Sequence, residues 1–178
     1  MVSSVESLTL PSGERSPYAV DGLVQVFTAA HRSFFTSVMA QALTIAGHGT
    51  PVLVVQFLKG GINQGHDHPI RLGQHLDWIR ADLPRCIDTP QLEEAEVQSL
   101  RNLWNYTRTV VSQGRYDLVV LDELSLAINF GFIAEEEVLL FLSDRPRHVD
   151  VILTGPDMPP ALLEAADQIT ELRRSHQP

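Results

Sequence analysis

Apolar residues come in short dense runs separated by longer amphipathic stretches, and this alternation predicts strands joined by helices. The run Gly22-Leu-Val-Gln-Val-Phe-Thr28 reads as a first strand. Residues 33–46 have the length of a packed helix ending at Gly47-His48-Gly49, and Pro51-Val-Leu-Val-Val-Gln-Phe57 is a second strand. Proline is tolerable at a strand's first residue, where its missing N–H breaks no interior ladder. A strand, a helix and a strand in this compass form a βαβ unit with parallel strands and a right-handed crossover. The near-continuous Val, Leu and Phe of both runs predict burial on both faces.

After Lys59-Gly-Gly61 the pattern breaks. Residues 58–89 mix Gly, Asp, His and Pro with short apolar pieces such as residues 76–79, enough for one short strand. Thr89-Pro90 is read as the N-cap and first position of a long helix, with Glu93, Glu94 and Glu96 near its positive end. Its apolar stripe runs through Leu92, Val97, Leu100, Leu103, Trp104, Val110 and Val111 to a stop at Gly114. Residues 116–123 form the clearest buried strand. Shorter helices are expected at 124–129 and 134–143, a strand at 149–154, a helix at 159–167 and a last strand at 168–172. Five strands separated by helices predict a three-layer α/β domain over residues 20–173, with a loose polar arm at 1–19 and a short tail at 174–178.

Composition narrows the function classes. The 178 residues fit one domain, and 22 acidic against 13 basic side chains give a net charge of -9. Such a charge repels a phosphate backbone unless bases cluster, and Arg32, Arg71, Arg80, Arg85, Arg101 and Arg108 are scattered while Lys59 is the sole lysine. No nucleic-acid partner is expected. Cys86 is the single cysteine, no apolar run reaches membrane-spanning length and no leader pattern opens the chain, so a cytoplasmic protein without membrane insertion is expected.

Candidate chemistry gathers at strand ends. Leu118-Val-Val-Leu-Asp-Glu123 places Asp122 and Glu123 at the carboxyl end of a buried strand, where open parallel sheets carry their sites. The pair is read first as a metal position in a phosphate site, with Asp122 facing Mg²⁺ and Glu123 beside it, and second as a helix cap or a solvated strand end. Between the first strand and the first helix stands Thr28-Ala-Ala-His-Arg-Ser-Phe-Phe-Thr36, a segment without glycine. Its turn cannot freely take the left-handed backbone of a tight phosphate cradle, although His31 and Arg32 offer charge at a helix start. His66 and His68 flank Asp67 and read either as transition-metal ligands or as a polar loop.

Taken in order, Gly22 to Thr28, Ala46-Gly-His-Gly49, Val54-Val-Gln-Phe-Leu-Lys-Gly60, residues 115–124, residues 145–155 and residues 160–171 resemble the ATP:corrinoid adenosyltransferase family. The resemblance implies a P-loop NTPase-like (RecA-like) domain with a mostly parallel central sheet. It also implies ATP, Mg²⁺ and a corrinoid as ligands and a homodimer as the assembly. Family members transfer a 5′-deoxyadenosyl group from ATP to reduced cobalt, with triphosphate leaving. Their loop is of the Thr-Gly-Asn-Gly-Lys-Gly-Lys-Thr-Thr type, and an ungapped match sets Ala29, His31 and Ser33 at the glycine positions. Arg32 then stands at the first lysine, Phe34 at the phosphate-binding lysine and Phe35 at the metal-facing hydroxyl; Thr36 alone matches at the end.

A Walker A loop degenerate in this way implies a pseudoenzyme: a catalytically silent homologue serving as a ligand-sensing or protein-interaction module. The alternatives are an adenosyltransferase with a non-standard ATP site and a small-anion or nucleotide-binding regulator. The expected remnant cleft comprises Thr28, His31, Arg32, Thr36, Gln56, Lys59, Asp122, Glu123 and Thr154, with Phe34 and Phe35 packed over the former phosphate loop.

Overall fold

The computed structural model describes residues 21–62 and 64–173, and the arm and tail expected at either end lie outside them. Elements follow in the order β1 (Val24–Ala29), α1 (Thr36–Gly47), β2 (Val52–Gln56), β3 (Ile70–Leu72), β4 (Leu76–Arg80), α2 (Glu94–Ser112) and β5 (Leu118–Asp122). Then come α3 (Leu124–Asn129), α4 (Glu135–Asp144), β6 (Asp150–Pro156), α5 (Pro160–Glu164) and β7 (Gln168–Leu172). One seven-stranded sheet has the order β3-β4-β2-β5-β6-β1-β7, parallel throughout except for the antiparallel β3–β4 pair.

The central strands bury alternate residues on opposite faces. Leu53, Val55, Val119, Leu121, Val151 and Leu153 face one core, filled by side chains of α2, α3, α4 and α5. Val52, Val54, Leu118, Val120 and Ile152 face the other, where Phe35 and the α1 residues Val38, Met39, Ala42 and Ala46 pack. This is the three-layer α/β architecture of P-loop NTPase-like domains. No helix among the described residues is long and apolar enough to cross a membrane.

Three expectations are corrected. The five strands are seven, because residues 70–80 form a hairpin whose second arm, β4, runs parallel to β2. The long helix starts at Glu94 and not at Pro90: Ile87 is fully buried and its N–H donates to the Leu58 carbonyl, which holds the preceding chain extended. The helix opens once Glu93 can donate its N–H to the Glu96 carboxylate, at 3.0 Å. The first helix likewise begins at Thr36, three residues late, because the chain before it is drawn across the strand ends by Arg32 and into the core by Phe35.

Candidate functional site

Sheet register lines up the chemistry. Gln56 and Asp122, the last residues of β2 and β5, are paired, Leu121 pairs with Leu153 just before Thr154, and Thr28 pairs with Gly155. Four strands that are distant in sequence therefore bring side chains from their carboxyl-terminal ends into one row.

Those side chains form a closed network. Asp122 accepts from Thr154 Oγ1 at 2.8 Å through Oδ1, and from Gln56 Nε2 at 2.7 Å and Lys59 Nζ at 3.0 Å through Oδ2. Thr154 Oγ1 in turn accepts the Glu123 backbone N–H at 3.0 Å. The Glu123 carboxylate meets Arg32 through both oxygens, at 2.5 Å from Nε and 2.8 Å from Nη2, and Arg32 Nη1 donates to the Ile87 carbonyl at 2.8 Å. A bidentate pair of this kind is among the stronger polar contacts a protein makes. The Glu123 contact raises the pKa of the Arg32 guanidinium, with partial burial opposing it. Asp122 and Glu123 are both buried.

Backbone conformation serves the same arrangement. Glu123 has φ +59, a left-handed conformation uncommon for a residue with a side chain, at the step from β5 into α3. At Gly155, φ is +139 and a Cβ would collide with the Ser125 hydroxyl, so only glycine lets β6 pass there. The Thr28 hydroxyl donates to the Gly155 carbonyl at 2.9 Å, fastening β1 to this point.

The two phenylalanines separate. Phe35 is 6% exposed and meets Phe27 edge-on at 6.3 Å between ring centroids, whereas Phe34 is 54% exposed with Lys59 Nζ 4.7 Å above its ring centroid. Lys59 is thus held between a carboxylate and an aromatic face. His31 and Thr36, the remaining expected residues, are exposed and take no part in the network. His31 lines a separate cleft of about 390 Å³, together with Ala29, Ala30, Ser33, Glu171, Leu172 and Arg173. Thr28, Lys59, Asp122 and Thr154 are absent from that lining.

Sequence reasoning missed Trp78 and Arg80. Trp78 Nε1 and Arg80 Nε both donate to Gln56 Oε1, at 2.9 and 2.8 Å, which turns the Gln56 amide so that its NH₂ faces Asp122. Their signal was the i, i+2 spacing of a strand beside β2, visible only once β4 is recognised. His66 lies against Tyr106, 4.9 Å between ring centroids, and no group of three His, Cys, Asp or Glu among the described residues is placed to hold a metal.

Mg²⁺ does not fit this arrangement. It demands about six oxygens in near-octahedral geometry, while both oxygens of each carboxylate already accept hydrogen bonds, including from two tethered cations. Among the described residues no buried side-chain N or O lacks a partner. A cation could enter only after Lys59 or Arg32 left.

A mostly parallel sheet between two helical layers, with Asp122 at the end of β5 and the adjoining Glu123 held by Arg32 of the β1–α1 loop, defines a P-loop NTPase-like protein. The model of the ATP:corrinoid adenosyltransferase BtuR/CobO/CobP family matches residues 20–178, and the chain belongs to that family. It is 30% identical to a corrinoid adenosyltransferase of Escherichia coli (strain K12) and 31% identical to corrinoid adenosyltransferase CobA of Salmonella typhimurium. Each match covers 85% of this chain and 76% of the relative. A corrinoid adenosyltransferase of Pseudomonas aeruginosa is 29% identical over 85% of this chain and 74% of its own length.

Proposed function

We propose that this member of the adenosyltransferase family, carried on one domain over residues 20–173, is a ligand-sensing or interaction module that does not turn over Mg-ATP in the family's usual way. The observation that carries this reading is the closed network: Lys59 and Arg32 satisfy the carboxylates a metal would need. Phe34 and Phe35 further supply neither an ammonium nor a hydroxyl at the positions matched to the family loop. Stabilising departing phosphates requires such groups fixed in advance, and losing one costs on the order of 3 kcal/mol in the transition state.

In this reading Thr28, Gln56, Asp122, Glu123 and Thr154 form the fixed floor of a remnant ligand site, and Arg32 and Lys59 are its movable cations. Their side chains are 34% and 22% exposed, so an anionic ligand can reach them and compete with Glu123 and Asp122. Binding would exchange an internal partner for an external one and would not need Mg²⁺.

A second reading is a corrinoid adenosyltransferase with a non-standard ATP site, and the names of the relatives favour it over the silent one. Anaerobic transfer assays with reduced corrinoid, joined to calorimetric titration of ATP with and without Mg²⁺, separate the two. The silent module is supported by absent transfer together with Mg-independent binding that Arg32→Ala weakens. Transfer at a catalytically useful rate, or tight Mg-dependent binding abolished by Asp122→Asn, overturns it.

A further inference from the structure

A groove of about 460 Å³ runs between the last turns of α2 and α4. Both helices lead directly into strands there, α2 into β5 and α4 into β6, so the groove opens at the amino ends of the strands, opposite the strand-end network. Val111, Leu140 and Phe141 give it an apolar lining, and Asn105, Arg108 and Asp144 add polar groups. Leu140 is 57% exposed, the highest value among the exposed large apolar side chains of the described residues. Such a surface suits a side chain with an apolar body and a polar tip.

The start of the described chain is fastened beside this groove. Gly22 donates its N–H to the Arg147 carbonyl at 2.6 Å, its own carbonyl accepts from Arg145 Nη2 at 2.8 Å, and the Leu23 N–H donates to Asp150 Oδ1 at 2.7 Å. A Cβ at Gly22 would collide with the Val149 carbonyl, so the backbone lies tight against the chain entering β6. Arg145 also lines the groove. One guanidinium therefore joins the groove to the point where residues 1–20 leave the sheet.

We infer that these residues occupy the groove of their own chain, with the Tyr18 ring as the anchor. Tyr18 is the only aromatic residue among the first twenty, and it stands four positions before Gly22, a reach of up to about 14 Å in extended chain. Its ring matches Leu140 and Phe141. Its hydroxyl, both donor and acceptor, suits a lining that offers the Arg108 guanidinium and the Asp144 carboxylate. Tethering selects this occupant over a free partner, because a segment held a few residues away is present at a roughly millimolar effective concentration. Residues 174–178 are no rival, since they follow the carboxyl end of β7, at the other end of the strands. The conclusion is independent of whether the strand-end network is silent or active.

Fluorine NMR on the full chain labelled with 3-fluorotyrosine tests it. The tyrosines are Tyr18, Tyr106 and Tyr116, and Tyr18→Phe identifies the Tyr18 line. That line is expected away from the position of free fluorotyrosine and unmoved between dilute and concentrated protein, as contact within one chain requires. Leu140→Asp, or Thr109→Arg on the α2 side of the groove, should return it to the free position, while an unmoved line from buried Tyr116 establishes that the variant folds. Leu43→Asp, an exposed leucine on α1 across the sheet, should leave it displaced. A wild-type Tyr18 line at the free position, a displacement that grows with protein concentration, one indifferent to both groove variants, or equal loss in Leu43→Asp would each overturn the inference.

Discussion

The carboxyl ends of β2, β5 and β6 and those of β1 and β7 belong to one sheet, yet they treat polar groups differently. At the first set, Gln56, Asp122 and Thr154 are buried and every polar atom is spoken for by a neighbouring strand or by Lys59. At the second, His31 and Ser33 border an open cleft and the Glu171–Arg173 pair lies in water. The cause is position in the sheet. β5 has strands on both sides and helices above and below, so its terminal carboxylate must find protein partners, whereas β7 is an edge strand exposed along its whole length.

The sharpest way to break this contrast is Asp122→Ala. It strands Lys59, Gln56 and Thr154 without their common acceptor, and removing one partner of a buried pair costs about 3 to 5 kcal/mol. Urea unfolding should show the loss. A change below about 1 kcal/mol would mean the network is dispensable. Next comes the split between the two phenylalanines: Phe35→Ala should cost about 3 kcal/mol by opening a cavity, and Phe34→Ala under about 1 kcal/mol by removing an exposed cation–π contact. Equal effects in the same unfolding experiment would erase the distinction between core and cover.

A smaller effect tests the opposite end of β5. The Tyr116 hydroxyl donates to Asp77 Oδ2 at 2.8 Å, and burial, then the Asp77 contact, raises its pKa well above the ordinary tyrosine value of about 10. A folded-state pKa above the unfolded one gives stability that is whole below the unfolded pKa and lost as pH climbs from there toward the folded value. Stability should therefore fall above about pH 10, and Tyr116→Phe should flatten that fall. Phenolate absorbance from Tyr116 should appear only with unfolding; its appearance in the folded protein would refute the assignment. Smallest of all, His31→Ala and Ser33→Ala at the open cleft should each shift stability by no more than about 0.5 kcal/mol, read from the same denaturation curves.

How much of the site was legible depended on distance along the chain. Asp122, Glu123 and Thr154 end apolar runs, and Gln56 and Lys59 end or follow one, so their shared location followed from the run pattern and the parallel topology. Trp78 and Arg80 were illegible because a strand of five residues, buried only in part, carries too weak a period to be distinguished from loop. The true start of α2 was hidden for a related reason: Thr89-Pro90 has the local chemistry of a helix start, but burial of Ile87 overrode it.

Local spacing and residue type suffice for the α/β order, the burial of the central strands on both faces and the glycine-free β1–α1 turn. Long-range packing is what brings Arg32 to Glu123, shares Lys59 between Asp122 and Phe34, and makes Phe35 core while Phe34 is surface. Those outcomes depend on which strand lies beside which and on where the loops between them are pinned. Pairings across 91 and 63 residues leave no period in the chain that makes them.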